Sequence, residues 1–231
     1  MTTSPLAPSS GPCVLESAQA VLLDFDGPVC SVFAGHPAAD VAWQLLGLVA
    51  EAGADVPPTT VNARDPLAVL RAVHARFPHL VPLVDDALTR AETIAVRSAR
   101  PTPGSREFLA GCRHTGRRVV VVSNNSADGV RAYLAAQELE PLVERVVGRP
   151  VHRPELMKPH PAMVEAALRH LDVRPERAVL IGDSVTDIQV ARRCGVPSIG
   201  FANRPGKRAD LIRAGADQIV DCMTGLSRTA A

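Results

Sequence analysis

The most constraining feature of this sequence is the segment Val-Leu-Leu-Asp-Phe-Asp-Gly at residues 21–27. An apolar run ends at Asp24, Asp26 follows after one residue, and Gly27 interrupts the pattern. This predicts a buried strand that ends in a turn carrying two carboxylates. In an open α/β sheet, ligands bind beyond the carboxyl ends of the strands. The two acids could equally accept backbone hydrogen bonds in an Asx-type turn, so the segment alone leaves both interpretations open.

The composition is typical of a globular protein without a strong overall charge. Of the 231 residues, 46% are hydrophobic, which is enough for one large domain or for a domain with a smaller insert. The formal net charge is +1, so we expect no recruitment of nucleic acid or of an anionic membrane by overall charge. The five cysteines are scattered and form no C-x-x-C pair. Residues 1–12 have no basic start and no apolar run, and no apolar run in the sequence approaches the length of a membrane span, so we expect neither a leader nor a membrane helix. These observations predict reduced thiols and a cytoplasmic location.

The chain divides by composition into an arm, a helical insert and an α/β core. Residues 1–12 are rich in Ser, Thr, Pro and Gly, which predicts a disordered arm. Residues 34–100 carry only helical patterns, so we expect a helical insert between two parts of a core, 13–33 and 101–231. Its helices are predicted over 37–53, after the capping residue Asp65, and along an apolar stripe of Leu83, Leu88, Ala91, Ile94 and Ala95.

From Gly104 onward, strand and helix patterns alternate. The β-branched run at 119–122 is typical of a parallel strand that is buried on both faces. Strand–helix–strand repetition predicts right-handed crossovers and a doubly wound parallel sheet of the α/β class. The predicted strands are 119–123, 146–147, 179–183, 198–201 and 218–220, and the predicted helices are 105–114, one through Val130 and Leu134, 161–171 and 188–194.

Polar residues end three of the apolar strands. Asp24 with Asp26, Ser123 and Asp183 should converge, because parallel strands place their carboxyl ends at one edge of a sheet. Lys158 is one of only two lysines, beside Lys207, in a chain whose other basic residues are arginines. A compact ammonium group suits a point contact with a carboxylate or a phosphate. The sequence therefore predicts a polar site at this edge.

This constellation resembles the haloacid dehalogenase superfamily, and its phosphoglycolate-phosphatase-like branch in particular. Asp24-Phe25-Asp26-Gly27 is similar to the first motif of that family, Ser123 to the second, Lys158 to the third and Gly182–Asp187 to the fourth. The resemblance implies a Rossmann-like core, with the insert at 34–100 as a helical cap. Because the insert directly follows the first strand and has hinge-like ends, we expect it to be a mobile lid that closes over the site and selects the leaving group.

The resemblance also implies a mechanism for these residue types. Asp24 would be the nucleophile that forms an aspartyl-phosphate, and Asp26 would protonate the leaving group and later deprotonate water. Mg²⁺ would be the cofactor, because it prefers carboxylate ligands and retained waters. Its implied ligands are Asp24, Asp26 through its backbone carbonyl, and Asp183, with Asp187 either as a further ligand or in contact with the ligands. The implied phosphate-binding residues are Phe25, Asp26, Ser123, Asn124 and Lys158, the first two and Asn124 through backbone N–H groups.

One position departs from the family pattern. Pro28 stands where the family usually has Thr, which removes a hydroxyl and a backbone donor and puts substrate fit in doubt. His36, Trp43 and Arg204 are additional candidates for contact with the substrate. The expected activity is Mg²⁺-dependent hydrolysis of a small phosphorylated metabolite. The alternatives are a phosphomutase of the same family and a non-enzymatic phospho-acceptor or binding module.

Overall fold

The computed structural model describes residues 14–58 and 61–230, so the predicted arm at 1–12 lies outside the described part. Its strands, in chain order, are β1 (Ala20–Leu23), β2 (Cys30–Ser31), β3 (Arg100–Pro101), β4 (Arg118–Val122), β5 (Arg145–Val147), β6 (Ala178–Gly182), β7 (Ser198–Phe201) and β8 (Gln218–Val220). Six of them form one parallel sheet in the order β5-β4-β1-β6-β7-β8. The doubly wound parallel sheet predicted from the sequence is confirmed.

Helices connect the strands and cover both faces of the sheet. They are α1 (Ala38–Glu51), α2 (Pro66–Arg76), α3 (Val81–Ala95), α4 (Ser105–His114), α5 (Ala127–Ala136), α6 (Ala162–Leu171), α7 (Val185–Arg193), α8 (Lys207–Ala214) and α9 (Met223–Ala230). The predicted bounds of α4, β7 and β8 agree with those observed. The sequence patterns did not predict α8 or α9, because each is a helix of only eight residues.

The strands alternate between two hydrophobic clusters, one on each face of the sheet. In β1, Val21 and Leu23 contribute to the cluster that also contains side chains of α4, α5 and α9. Leu22 contributes to the opposite cluster, with side chains of α6 and α7. Because both faces are covered, the two strands at the centre of the sheet, β1 and β6, carry no polar side chain.

Helices α1, α2 and α3 form the insert and have a hydrophobic cluster of their own. Asp65 caps α2 as the sequence predicts, since its Oδ1 accepts a hydrogen bond from the Leu67 N–H at 2.9 Å. The chain enters and leaves the insert through β2 and β3, which pair in antiparallel fashion. Met157, from the loop before α6, packs into the insert's cluster.

The predicted apolar stripe of α3 is wrong at two positions. Leu83 and Ile94 are 40% and 52% exposed, whereas the buried side of α3 includes the carboxylates of Asp85 and Glu92. The buried charges have a partner in the core, described below, and they take the place that apolar residues would occupy in an isolated amphipathic helix.

Two expectations from composition can be compared with the described residues. Cys30, Cys112, Cys194 and Cys222 are free thiols, and Cys13 lies outside the described residues. Within residues 14–58 and 61–230, no helix combines the length and the apolar character needed to cross a bilayer.

Candidate active site

The carboxyl ends of β1, β4 and β6 bring three predicted site residues together. Asp24, Ser123 and Asp183 each follow one of these strands directly. The backbone N–H of Asp24 donates to the carbonyl of Ile181 at 2.8 Å, so this residue still belongs to the hydrogen-bond pattern of the sheet. All three residues line one cavity of about 610 Å³, which is also lined by residues of the insert. The site therefore lies between the edge of the sheet and the insert.

Lys158 is the centre of a buried network at this edge. Its Nζ donates to Asp24 Oδ1 at 2.9 Å, to Asp187 Oδ1 at 2.6 Å and to the carbonyl of Val122 at 2.8 Å. These three acceptors match the three N–H groups of an ammonium ion. The side chain of Lys158 is 2% exposed. Its position is thus fixed, and its charge is directed at Asp24 and Asp187.

The charges of this network do not balance, because one ammonium group faces two carboxylates. Burial and the neighbouring Asp187 raise the pKa of Asp24 to about 8, although Lys158 opposes this shift. Burial alone would lower the pKa of Lys158, but Asp187 and Asp24 outweigh it and raise that pKa. Burial also raises the pKa of Asp183, against the effect of Lys207. The site carries an excess of negative charge.

Two glycines allow the carboxylates to approach the backbone. A Cβ atom on Gly182 would lie 2.3 Å from Cγ of Asp187, and one on Gly27 would lie 2.4 Å from Oδ2 of Asp183. Gly27 also has a φ of +111°, which a residue with a side chain rarely adopts. Asp187 and Ser184 form a capping box at the start of α7, in which Oδ2 of Asp187 accepts hydrogen bonds from the N–H and the hydroxyl of Ser184. Glycine is therefore required at both positions by close packing against acids.

Three of the predicted metal ligands form a carboxylate cluster that fits a divalent cation. Asp24, Asp183 and Asp187 each place an oxygen within 4.8 Å of the others. Carboxylate oxygens are the ligands that Mg²⁺ prefers, and a cation would lower the pKa of Asp24, which burial and, to a smaller extent, the charge of Asp187 raise. Asp187 already accepts hydrogen bonds at both oxygens, from Lys158 and Ser184. Asp24 and Asp183 are accordingly better placed to ligate an ion directly.

Asp26 lies in the turn after β1 and lines the same cavity. Its Oδ1 accepts a hydrogen bond from the Val32 N–H at 3.0 Å. Burial, with a smaller contribution from Asp183, raises the pKa of Asp26 to about 6, although the hydrogen bond from Val32 opposes the shift. A carboxyl group that exchanges its proton close to neutral pH is suited to general acid–base chemistry.

Pro28 fits this turn without loss of a hydrogen bond. The N–H of Gly27 donates to the carbonyl of Cys30 at 2.7 Å, and the N–H groups of Val29 and Cys30 donate to the carbonyl of Phe25. The turn is closed by these donors, so the N–H that proline lacks is not needed there.

The loop after β4 carries two of the predicted phosphate-binding residues, Ser123 and Asn124. The Ser123 hydroxyl donates to Asn125 Oδ1 at 3.1 Å and accepts from the Asn125 N–H at 3.2 Å. The Asn124 side chain bonds both backbone groups of Lys158, with its Oδ1 accepting from the N–H at 2.8 Å. The predicted donor Phe25 is used differently, since its N–H donates to Oδ1 of Asp24 at 2.7 Å. Its ring packs edge-on against Tyr133 in the core.

Several cationic side chains that the sequence patterns did not single out line the cavity. Arg64 and Arg71 come from the insert, and Lys207 comes from the start of α8. Lys207 pairs with Oδ2 of Asp183, which also accepts a hydrogen bond from the Asn203 side chain at 3.0 Å. The only sequence signal for Lys207 is the rarity of lysine, which equally marks Lys158.

Of the three further candidates for substrate contact, the structure places one at the cavity. Arg204 lines the cavity. His36 and Trp43 are not among the residues that line it, and Trp43 is 54% exposed on α1. Position in the insert thus does not by itself bring a side chain to the site.

Comparison with known proteins identifies relatives of this chain. The sequence model of the haloacid dehalogenase-like hydrolases matches residues 18–195. The chain is similar to the phosphoglycolate phosphatase of Nitrosococcus oceani, with 28% identity over 60% of this chain and 64% of that protein. It is also similar to the phosphoglycolate phosphatase of Caulobacter vibrioides, with 37% identity over 52% of each chain. The matches thus cover less than two thirds of the length of these relatives.

Solved structures share the fold. The structure of CbbY from Rhodobacter sphaeroides in complex with phosphate superposes with a TM-score of 0.66. The match covers 90% of this chain and 96% of that one, at 22% sequence identity. The similarity includes the sheet and the helical insert alike, because almost the whole of both chains is covered.

Proposed function

This chain belongs to the family of haloacid dehalogenase-like hydrolases, and from that premise we propose that it is a phosphatase that hydrolyses a small phosphomonoester through an aspartyl-phosphate. The observation that carries the proposal is the contact of Asp24 with Lys158 at the carboxyl end of β1, inside the cavity. A carboxylate that is fixed by a buried ammonium group can act as an oriented nucleophile.

The contacts of Asp24 favour one of its oxygens as the attacking atom. Oδ1 accepts hydrogen bonds from the Phe25 N–H and from Lys158, so we assign the attack to Oδ2. The bond from Oδ2 to phosphorus forms while the bond from phosphorus to the ester oxygen breaks, and Asp26 donates its proton to that oxygen. Asp26 then removes a proton from water, whose oxygen attacks phosphorus. The bond to Oδ2 breaks, which releases orthophosphate and restores both carboxyl groups.

The loop after β4 and the carboxylate cluster support this reaction. We assign the binding of phosphate oxygens to the hydroxyl of Ser123 and to the backbone near Asn124. Asp24 and Asp183 would hold Mg²⁺, together with the backbone carbonyl of Asp26, and the ion supplies Lewis-acid stabilisation of the charge on the transferring group. Asp187 holds Lys158 in place.

The arginines of the cavity wall support an anionic substrate. Arg64, Arg71 and Arg204 line the cavity in addition to Lys158, whereas Lys207 is paired with Asp183, and three arginines exceed what one phosphate group needs. We therefore infer that the substrate carries a second anionic group, such as the carboxylate of phosphoglycolate. Arginine suits this role because its planar guanidinium binds carboxylate and phosphate groups in bidentate fashion.

The decisive experiment measures orthophosphate release from a panel of phosphomonoesters, including phosphoglycolate and 4-nitrophenyl phosphate, in the presence of Mg²⁺. We expect Asp24→Asn to lower kcat at least about a thousandfold, because the amide has nearly the same shape but is not a nucleophile. Asp40→Asn, an exposed change of the same kind on α1, is the control.

Three results would contradict the proposal. Turnover by Asp24→Asn above about one per cent of the wild-type rate would exclude covalent catalysis by this residue. Full activity in excess EDTA would exclude the metal. Conversion of the ester to an isomer, with no release of orthophosphate, would favour a phosphomutase.

A further inference from the structure

A second buried ion cluster connects the insert to the core. Arg149, which follows β5, bonds Asp85 and Glu92 of α3. Its Nε lies 2.6 Å from Oδ1 of Asp85, and its NH1 lies 2.8 Å from Oε1 of Glu92. The three side chains are between 1% and 4% exposed. Arg149 NH2 also donates to the Thr89 hydroxyl at 3.1 Å. Three consecutive turns of one insert helix are thus bonded to a single core arginine.

The cluster reaches the loop after β4 through two further contacts of Glu92. Its Oε2 accepts a hydrogen bond from the Ser126 N–H at 2.8 Å, and its Oε1 accepts one from Nδ2 of Asn125 at 3.2 Å. Ser126 is the N-cap of α5, so the carboxylate of Glu92 lies at the positive end of that helix. Arg149 contributes from the other side, since its NH1 donates to the carbonyl of Asn124 at 2.9 Å.

These contacts determine how the Asn125 amide is oriented. A carboxylate accepts hydrogen bonds but donates none, so Glu92 requires the NH₂ group of Asn125 on its side. The carbonyl oxygen of that amide must then point the other way, where it accepts the hydrogen bond of the Ser123 hydroxyl. A chain of contacts therefore runs from the insert through Glu92 and Asn125 to the side chain that we assign to phosphate binding.

We propose that Glu92 is a positioning residue, through which the insert sets the geometry of the phosphate-binding loop at 123–126, and that Arg149 holds Glu92 in that position. The role of the loop rests on the proposed function, whereas the coupling between Glu92 and the loop does not. In consequence, the phosphate site forms only when α3 is packed against the core.

The isosteric variant Glu92→Gln tests this proposal. Its amide nitrogen cannot accept the Ser126 N–H if its oxygen continues to serve Arg149 and Asn125. We expect the dissociation constant for orthophosphate, measured by calorimetry with Mg²⁺, to rise about tenfold. The KM for the best ester should also rise about tenfold, while kcat stays within about threefold of the wild-type value. The reason is that the loop binds the phosphate group equally in the ground state and the transition state.

Hydrogen–deuterium exchange provides a readout that does not depend on activity. In Glu92→Gln, peptides spanning 123–130 should exchange faster than in the wild type, while those of α1 keep their rates. The matched control is Asp86→Asn, a change of an exposed residue next to Asp85 on the same helix, which should alter neither measurement. If Glu92→Gln behaves like this control in both exchange and orthophosphate affinity, the proposal is overturned.

A milder variant covers the case in which Glu92→Gln does not fold. Thr89→Val removes one neutral contact of Arg149 without a change of shape and should shift both measurements in the same direction by a smaller amount. No shift in either would overturn the proposal. If the wild type neither binds orthophosphate nor releases it from any ester, the proposed function fails, and the exchange data alone still decide whether Glu92 sets the loop.

Discussion

At the scale of single residues, Asp183 would have to serve two cations in the proposed enzyme. Its Oδ2 pairs with the ammonium group of Lys207, and the same carboxylate belongs to the cluster that fits a divalent ion. The proposed metal ion and Lys207 would compete, since each is attracted by the same negative charge. We predict that Lys207→Met raises the affinity for Mg²⁺ about three- to tenfold, as measured by calorimetry without substrate.

Arg208→Met is the control for this prediction. Arg208 neighbours Lys207 on α8, carries the same charge and pairs with Asp221 at the surface. An equal gain in Mg²⁺ affinity for both variants would show that net charge alone is responsible and that Lys207 does not compete for Asp183.

Gly182 is the second residue whose surroundings give a clear expectation. An alanine Cβ would overlap Asp187, which in turn holds Lys158. We predict that Gly182→Ala lowers the free energy of unfolding by about 1–3 kcal/mol, as expected for overpacking, and lowers kcat as well. Gly47→Ala makes the same change on α1, where no atom lies within 4 Å. It should be stabilising by about 0.5–1 kcal/mol in the same urea titration.

At the scale of elements, the contact of α3 with the core depends on charge rather than on apolar area alone. Arg149→Met would leave the carboxylates of Asp85 and Glu92 buried without their partner. We predict a loss of about 3–5 kcal/mol in the free energy of unfolding. The control is Arg169→Met, which removes a surface ion pair on α6 and should cost less than about 0.5 kcal/mol. Equal unfolding midpoints for the two variants would contradict the prediction.

The elements that the sequence predicts well are those whose pattern is local. Strand β4 is a run of valines, and α2 begins at a capping aspartate followed by proline, so each can be located from its own residues. The buried side of α3 could not be predicted in this way. Asp85 and Glu92 are acidic residues, which usually face solvent, and their partner Arg149 lies 57 residues beyond Glu92. Only the fold brings these charges together.

At the scale of the whole molecule, the same distinction applies to the site. The convergence of the polar residues that end β1, β4 and β6 could be predicted, because all strands of a parallel sheet have their carboxyl ends at the same edge. The cavity wall could not be predicted, since it depends on how the insert docks. Arg64 and Arg71 line the cavity while Trp43 faces away from it, and nothing in their local sequence separates them.

Because the insert contributes both Arg64 and Glu92, its two proposed roles can be separated by the choice of substrate. We predict that Arg64→Ala and Arg71→Ala lower kcat/KM about tenfold or more for the best anionic ester, since each loses a charged contact. Hydrolysis of 4-nitrophenyl phosphate, which has no second anionic group and a good leaving group, should change less than about threefold.

Glu92→Gln should weaken both reactions alike, because the phosphate-binding loop serves every substrate. Arg76→Ala, on α2 but away from the cavity, is the control for the loss of a positive charge from the insert. If the arginine variants reduced both reactions equally, the insert would position the phosphate without selecting the rest of the substrate. If Glu92→Gln slowed only the hydrolysis of the anionic ester, Glu92 would affect substrate selection. The insert would then select the substrate, and the core alone would determine the geometry of the phosphate-binding loop.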